Sequence, residues 1–448
     1  MKVGFISLGC SKNLIDTEMA IGVFKKGAFE IVAKPEEAEI IVINTCGFIE
    51  SAKEEAISTI FEMLEFKQKG KCKYLIVMGC LVERYIEDLK RDLSEVDLFI
   101  PIKEYNAFWE KIDNLINISK EKNSENYCLD YHNRVVTTGE KTAYLKIAEG
   151  CSNRCTYCAI PYIRGAYISR EKEDILKEAR ELAKKGFKEI IVIAQDTTKY
   201  GIDLYGKSML AELLEELCKI EEFKWIRFLY SYPESITDEL IEVVKNNEKI
   251  CKYFDIPLQH ISNKILKTMN RFHKGNGTTD NPNEYIKKLI KKIRKEIPNV
   301  ILRTSLIVGF PGEDKNDFES LYNFVEETKF ERLGVFTYSK EDGTPAAKLK
   351  NQIHPSTKKS RHNKIMKLCK NIYEEKQNSN IGKEYEVLVE AKSFDGKYYI
   401  GRSYMDIPDM DGVIYIENVE KNIIGEFVNC IITDVEGYDL IGTIKKVK

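Results

Sequence analysis

Three cysteines, Cys151, Cys155 and Cys158, lie within eight residues of one another. The spacing C-x3-C-x2-C places three thiolate ligands in one loop, directly after the apolar stretch 143–148. A structural zinc site closes with four ligands, mostly from C-x2-C pairs, and no second pair or C-x-x-H sequence follows nearby. A [4Fe–4S] cluster normally takes four cysteines, so three cysteines leave one iron open. The spacing therefore predicts an iron–sulfur cluster that binds a small molecule.

The overall composition excludes several classes of protein. The 448 residues contain 69 Lys and Arg against 71 Asp and Glu, a balance that does not favour a protein coating nucleic acid. Twelve cysteines without a secretory segment indicate a reducing compartment and metal binding. No apolar run reaches the roughly 18 residues that a membrane span needs. We therefore expect a cytoplasmic protein without a membrane contact.

A second set of three cysteines follows three short apolar runs near the start of the chain. The runs 3–8, 40–43 and 74–78 are followed by Cys10, Cys46 and Cys80, and a fourth run covers 98–100. The alternation of these runs with helical segments predicts an open parallel α/β sheet over residues 1–118. Because the carboxyl ends of parallel strands share one edge, the three cysteines are expected to converge. Single cysteines are also common core residues, and this alternative stays open.

The remaining sequence predicts two further domains. A polar linker, 119–141, precedes a central partial (βα)6 barrel placed at residues 137–376. Short β-rich runs with glycine turns then predict a small antiparallel β-barrel over residues 377–448. The six predicted strands of the central domain are 143–148, 189–194, 225–229, 253–257, 300–308 and 333–338.

Two three-cysteine sets followed by a small β-barrel resemble the methylthiotransferases of the radical S-adenosylmethionine (SAM) superfamily, whose last domain is a TRAM domain. The resemblance covers nearly the whole chain. Within the family, the chain is similar to the enzymes that modify the β-carbon of an aspartate in a small-subunit ribosomal protein of the uS12 type. The motifs that carry this resemblance are Ser7-Leu-Gly-Cys-Ser-Lys-Asn-Leu14, Ala194-Gln-Asp-Thr-Thr198, Pro257-Leu-Gln-His-Ile-Ser262, Ile307-Val-Gly-Phe-Pro-Gly-Glu313 and Gly334-Val-Phe-Thr-Tyr-Ser339.

The resemblance implies a set of cofactors and partners. The cluster at Cys151, Cys155 and Cys158 would bind and cleave SAM, and a second [4Fe–4S] cluster at Cys10, Cys46 and Cys80 would bind or supply sulfur. A second SAM would provide the methyl group, and a flavodoxin or ferredoxin would provide electrons. The sulfur donor is not identified by the sequence, and contact with RNA is not required.

The resemblance also implies SAM contacts outside the cysteines. Tyr157 would contact the adenine, although an aromatic residue there could equally pack in the core. Arg303 would pair with a carboxylate of SAM or substrate, or would form an ordinary salt bridge. The full set of candidate SAM-binding residues is Tyr157, Gln195, Asp196, Gln259, Arg303 and Gly309.

The charge of the C-terminal segment bears on the substrate. Residues 377–448 contain eight Lys and Arg against thirteen Asp and Glu. A domain that grips RNA through its phosphates should be basic, so this acidic segment favours a basic ribosomal protein as partner. A solvated acidic surface without a partner is the alternative. The competing functions are a tRNA adenosine methylthiotransferase, a non-catalytic iron–sulfur carrier and a zinc-binding adaptor.

Overall fold

The first domain is a parallel sheet covered by helices. The structure, a computed structural model, describes residues 1–117, 127–272, 280–417 and 421–445. The strands of this domain are β1 (Lys2–Ser7), β2 (Glu30–Val32), β3 (Ile40–Thr45), β4 (Tyr74–Gly79) and β5 (Leu98–Ile100). The helices are α1 (Ser11–Lys26), α2 (Glu50–Lys69), α3 (Cys80–Asp92) and α4 (Phe108–Ile116).

All pairings in this sheet are parallel, in the order β2-β1-β3-β4-β5. The open parallel sheet predicted from the sequence is confirmed. Strand β3 is buried at every residue, as expected for a parallel strand with helices on both faces. Strand β2 was not predicted because it has only three residues, too few to show a period.

The central domain alternates strands and helices. Its strands are β6 (Thr142–Lys146), β7 (Ala148–Glu149), β8 (Ile168–Ser169), β9 (Glu189–Ile193), β10 (Trp225–Phe228), β11 (Tyr253–Asp255), β12 (Ile301–Val308) and β13 (Arg332–Thr337). Its helices are α5 (Ile160–Ile163), α6 (Lys172–Lys184), α7 (Ile202–Tyr205), α8 (Leu210–Cys218), α9 (Asp238–Asn246), α10 (Asn263–Thr268), α11 (Pro282–Glu296), α12 (Lys315–Thr328) and α13 (Pro355–Asn378). No helix among the described residues is both long and apolar enough to cross a membrane.

The six main strands form the predicted incomplete barrel from two parallel sheets. Strands β6, β9 and β10 form one sheet, and β11, β12 and β13 form the other. The sheets adjoin where the Ser231 N–H donates to the Asp255 carbonyl oxygen at 2.8 Å. The short β7–β8 hairpin, which was not predicted, stands beside the barrel and carries the loop with Cys151.

The last domain is a closed five-stranded barrel. Its strands are β14 (Glu384–Lys392), β15 (Tyr398–Arg402), β16 (Ile414–Glu417), β17 (Phe427–Glu436) and β18 (Asp439–Ile444). Four pairings are antiparallel, as predicted, and β16 pairs with β18 in parallel. Strand β18 was not among the predicted strands, yet it closes the barrel.

Buried ion pairs hold this barrel against the central domain. Arg402 donates to Glu189 at 2.7 Å, and Arg303 donates to Asp411 at 2.8 Å. Arg332 also pairs with Asp406. Buried charges need such partners because their desolvation is costly. Part of the acidic excess of the C-terminal segment is therefore paired inside the molecule.

The predicted linker is anchored where the structure describes it. Residues 118–126 lie outside the described ranges, so the boundary at 118 stays a prediction, as does the start at 137. Within the remainder, Arg134 is buried between Glu18 of α1 and Glu178 of α6, and donates to Glu178 at 2.8 Å. This segment thus joins the first two domains through a buried ion pair.

Candidate active site

Cys10, Cys46 and Cys80 follow three neighbouring strands at one edge of the N-terminal sheet. The parallel register aligns Thr45 with Gly79 at the ends of β3 and β4. Cys10 precedes the first residue of α1, and Cys80 is the first residue of α3. The sheet therefore brings together three cysteines that are far apart in the sequence, as the strand-end pattern predicts.

The side chain of Asn13 ties this edge together. Its amide nitrogen donates to the carbonyl oxygens of Leu8 and Thr45 at 3.1 and 3.0 Å. Its amide oxygen accepts from the Cys80 Sγ at 3.3 Å. One buried residue of α1 thus contacts the ends of β1 and β3 and the start of α3.

Glycines allow the close approach of these strand ends. A Cβ atom on Gly9 would lie 2.6 Å from the Cys46 Cβ and 3.0 Å from its Sγ, and Gly9 has φ +88°. A Cβ on Gly47 would lie 2.7 Å from the Leu81 Cα. The backbone around Cys10, Cys46 and Cys80 therefore has no room for side chains at these positions.

Burial favours the protonated form of two thiols of this set, Cys46 and Cys80. It raises the pKa of Cys80 to about 12 and also raises the pKa of Cys46. The guanidinium of Arg164 opposes this effect at both thiols. A coordinating thiol is deprotonated by its metal, so metal binding here would release protons.

Cys151, Cys155 and Cys158 lie in a loop that is fixed at both ends. The Cys151 N–H donates to the Gly165 carbonyl oxygen at 3.1 Å, and the Cys158 N–H donates to that of Cys155 at 3.0 Å. Between them, the Asn153 amide donates to the Asp196 carboxylate at 2.8 Å. These contacts hold the loop against the carboxyl end of β9.

This second set also lies in a buried, apolar environment. Burial raises the pKa of Cys151 to about 11 and raises the pKa of Cys158. The Cys155 Sγ lies 3.6 Å from the Tyr232 hydroxyl. All twelve cysteines of the chain are free thiols, so no disulfide competes for either set.

The donor chemistry of both sets fits an iron–sulfur cluster. Among the residues that the structure describes, no three His, Cys, Asp or Glu side chains are close enough to hold a single metal ion. In a cubane each cysteine sulfur binds a different iron, so the sulfurs stand further apart than around one ion. Sets of three thiols without a fourth are those that leave one iron of a [4Fe–4S] cluster open.

The two cysteine sets are neighbours across the domain boundary. Helix α5, which follows Cys158, packs against the start of α3, where Cys80 lies. Cys80, Ala159 and Ile163 form one buried apolar cluster, and Ile102 packs against it. Residues adjacent to one set therefore share a buried cluster with a cysteine of the other.

Helix α1 also covers the carboxyl ends of the barrel strands. The Lys12 ammonium lies 3.0 Å from the centre of the Tyr230 ring, just beyond β10. Burial lowers the pKa of Lys12 to about 8, while Cys10 and Asp255 oppose that shift. The edge of the N-terminal sheet that carries Cys10 thus faces the mouth of the barrel.

The candidates at the end of β9 differ in their surroundings. Asp196 is fully buried, and burial raises its pKa. Its carboxylate accepts from the Asn153 amide at 2.8 Å and from the Thr198 N–H at 3.1 Å. Gln195 is half-buried, and its side chain makes no hydrogen bond to another described residue. Asp196 holds the cysteine loop, while Gln195 is available to a ligand.

Tyr157 and Gly309 lie on the same side of the barrel. Tyr157 packs against an apolar cluster that includes Phe310. Gly309 has φ +73°, and a Cβ there would lie 2.4 Å from the Lys358 Cγ. The Glu313 carboxylate accepts the N–H groups of Gly309 and Phe310, and burial raises the pKa of Glu313 to about 7. Glu313 therefore shapes the glycine loop.

Gln259 and Arg303 have constrained positions. Gln259 adopts φ +69°, unusual for a residue with a Cβ, and exchanges backbone hydrogen bonds with Ser305 and Ile307 at 2.8 and 2.7 Å. Arg303 pairs with Asp411 and lies 3.6 Å from Asp255. The ion-pair alternative for Arg303 is thus realised, and its contact with SAM stays a prediction, as do the other SAM contacts.

Sequence reasoning missed three residues that organise the site. Asn13 and Glu313 lie inside motifs quoted for the family resemblance. Their place in those motifs is the one sequence feature that could have identified them as site residues. Arg164, six residues beyond Cys158, is buried and reaches Asn13 at 2.6 Å. No local pattern marks Arg164, because two of its partners, Asn13 and Asp16, lie in another domain.

Three family models match the chain. A model described as Radical SAM superfamily matches residues 145–325, and one described as TRAM domain matches residues 381–444. A model described as Uncharacterized protein family UPF0004 matches residues 2–101. With the barrel and the cysteine loop, these matches define a radical SAM enzyme, a class whose cofactors are a [4Fe–4S] cluster and SAM.

Relatives that match over their full length identify the family within the radical SAM enzymes. A protein of Alkaliphilus oremlandii named "Ribosomal protein uS12 methylthiotransferase RimO" is 62% identical over 445 residues, which cover 99% of each chain. A protein of Acetivibrio thermocellus with the same name is 50% identical over 453 residues, covering 99% of this chain and 98% of that one. The chain belongs to the RimO family of radical SAM methylthiotransferases, and the predicted resemblance is confirmed.

Solved structures support the fold. The radical SAM methyltransferase TsrM from Kitasatospora setae, with cobalamin and a [4Fe–4S] cluster bound, has a TM-score of 0.54 and 12% sequence identity. The match covers 77% of this chain and 76% of that chain. At this identity the likeness concerns the fold alone.

Proposed function

We propose that the protein adds a methylthio group to the β-carbon of an aspartate in ribosomal protein uS12, using two [4Fe–4S] clusters and two SAM molecules. Cys151, Cys155 and Cys158 would hold the first cluster, and the N-terminal cysteines would hold the second. The names of the relatives support the choice of substrate. When bound, the clusters and SAM supply one-electron chemistry that acid–base side chains lack.

The contact between the two cysteine sets carries the proposal. Cys80 shares one buried apolar cluster with Ala159, the residue next to Cys158. A carrier of a single cluster needs no second set of thiols beside the first. Sulfur insertion, in contrast, requires that the group removing hydrogen and the group providing sulfur act on one carbon.

The residues of the chain provide the surroundings for this reaction. Asn13 and Asp196 orient the two cysteine segments through hydrogen bonds. Cys46 and Cys80 of one set and Cys151 and Cys155 of the other are buried from water, while Cys10 is exposed. Gln195 and the Gly309 loop, at the carboxyl ends of their strands, are the proposed contacts of SAM, together with Tyr157 and Gln259.

The acidic C-terminal segment supports a basic protein substrate. After the pairs with Arg303 and Arg332 are formed, exposed carboxylates such as Glu417 and Asp434 remain on the barrel. A flavodoxin or ferredoxin is the proposed electron donor, and the cytoplasm is the proposed location. No contact of the described residues favours RNA as the substrate.

A direct assay distinguishes the substrates. Anaerobic reconstitution should load about eight irons per chain. Incubation with SAM, a reductant, a sulfide source and uS12 should add about 46 Da to one aspartate of uS12, since a methylthio group replaces a hydrogen. Modification of tRNA with uS12 unchanged would contradict the proposal. A saturated iron content near four per chain would contradict the presence of the second cluster.

A further inference from the structure

We propose that Arg164 is a positioning residue that brings positive charge from the radical SAM domain to the N-terminal cysteines, and that this charge raises the reduction potential of the cluster held there. The inference rests on the proposed second cluster. It concerns a contact between domains that the cysteine spacing does not indicate, and of its two residues only Asn13 lies in a motif quoted for the family.

Arg164 belongs to one domain but points into the other. It follows α5, only six residues after Cys158, and its side chain is 1% exposed. Its Nη2 donates to Asn13 at 2.6 Å and to Asp16 at 2.8 Å, both in α1. Its Nη1 donates to Glu149, at the end of β7, at 2.9 Å. The guanidinium thus lies between the segments that carry the two cysteine sets.

A single side chain separates this guanidinium from a cluster ligand. The Asn13 amide oxygen accepts from the Arg164 Nη2 and from the Cys80 Sγ. When Cys80 becomes a thiolate, its proton is lost and the amide oxygen faces a negative sulfur. The Arg164 N–H keeps this oxygen hydrogen-bonded and offsets the repulsion, so the charge is needed most when metal is bound.

The neighbouring charges do not cancel this effect at the cysteines. Lys146 and Arg164 pair with Asp16 and Glu149, and the four side chains form one network in which Glu149 is partly exposed. Of these four side chains, Arg164 is the one that shares the Asn13 amide oxygen with the Cys80 Sγ. The network is neutral as a whole, and its guanidinium reaches the side chain that contacts Cys80.

An unpaired donor also points to a missing ligand. The Arg164 Nε is buried and has no hydrogen-bond acceptor among the described residues. A buried N–H without an acceptor is costly, and an acceptor supplied by a bound cluster would satisfy it.

Nearby charge and hydrogen bonds to sulfur set the reduction potentials of iron–sulfur clusters. The Arg164 guanidinium would favour the reduced form of the cluster because that form carries more negative charge.

The test compares two buried arginines that each join the same two domains. Full-length chains carrying Cys151→Ala, Cys155→Ala and Cys158→Ala retain only the N-terminal set, so their iron signal reports on it alone. In this background we compare Arg164→Gln and Arg164→Lys with Arg134→Gln. Arg134 pairs with Glu18 and Glu178 and serves as the matched control, since no hydrogen bond or ion pair of the described residues joins it to a cysteine.

The readout is the midpoint potential from a redox titration followed by electron paramagnetic resonance, with iron content measured alongside. Arg164→Gln should lower the ratio of reduced to oxidised cluster at a fixed potential by about tenfold, or about 59 mV for one electron. Arg164→Lys and Arg134→Gln should each stay within about threefold of the parent. A loaded Arg164→Gln chain with the parent potential would overturn the inference.

The remaining outcomes also decide. If the parent chain binds no iron, the second cluster of the proposed function is overturned, independently of Arg164. If Arg164→Gln alone fails to load iron while Arg164→Lys and Arg134→Gln load it, the charge is needed for binding and its role is supported. Equal loss of iron in Arg134→Gln would overturn the inference, because weakened domain packing would then explain both results.

Discussion

The two cysteine sets are built in opposite ways. Cys151, Cys155 and Cys158 share one loop, whose own backbone hydrogen bonds fix much of its shape. Cys10, Cys46 and Cys80 come from three strand ends and meet only when the sheet has formed. The loop set takes its three ligands from one segment, which Asp196 of the barrel also holds, and the sheet set depends on the packing of a whole domain. The following predictions test that difference, from the largest expected effect to the smallest.

Removal of single ligands should separate the roles of the two sets. Cys155→Ala should abolish formation of 5′-deoxyadenosine from SAM, since the loop set would lose a ligand. Cys46→Ala should retain SAM cleavage but abolish methylthiolation of uS12. Each variant should lose about four irons of about eight per chain. Liquid chromatography of the reaction products measures SAM cleavage and methylthiolation. SAM cleavage by Cys155→Ala would contradict the assignment of the SAM-cleaving cluster to the loop set.

Acid should weaken the domain of the loop set through a buried histidine, a residue type that the sheet domain lacks. Burial lowers the pKa of His260 to about 3, and residues 1–117 contain no histidine. The neutral ring is favoured in the fold, so the stability it contributes is complete above about pH 6.5 and is lost as pH falls toward about 3. From about pH 7 to about pH 4, the central domain should lose roughly 3 kcal/mol through this group.

His260→Asn provides the control for this effect. Its amide oxygen can still accept from the Ser262 N–H, which donates to the His260 Nδ1 at 2.9 Å in the structure. Hydrogen exchange read by mass spectrometry gives opening free energies for each domain. The variant should lose about 3 kcal/mol less than the wild type in the central domain. An equal loss in both proteins would contradict the prediction.

A methyl group added beside each set should affect the sheet set more. Gly9→Ala places a Cβ 2.6 Å from the Cys46 Cβ at a positive φ, which should cost about 2 kcal/mol and lower the iron content of the N-terminal set. Gly165→Ala, at φ +75°, meets no described atom within 4 Å, so only the backbone cost of about 1 kcal/mol remains. Iron content and denaturant midpoints measure both effects, and equal losses would contradict the comparison.

Much of the fold could be predicted from local patterns. Buried parallel strands such as β3 and β9 appear as apolar runs, because both faces of the sheet are covered. The sequence analysis missed strands β2 and β18. Strand β2 is too short to show a period. Strand β18 pairs with β16 and β17, and these pairings depend on closure of the barrel. The parallel β16–β18 pairing likewise follows from barrel closure and leaves no mark in either strand.

The sequence by itself determined which residues can bind metal: a compact thiol triplet in one loop, and three thiols that each follow a strand. These features can be recognised in the sequence because ligand spacing and strand period involve residues that are close together along the chain. The tertiary structure alone decided that Arg164 reaches Asn13, 151 positions away, and that Arg303 pairs with Asp411. Such pairs are set by how domains pack to satisfy buried charges, and no local period encodes that choice.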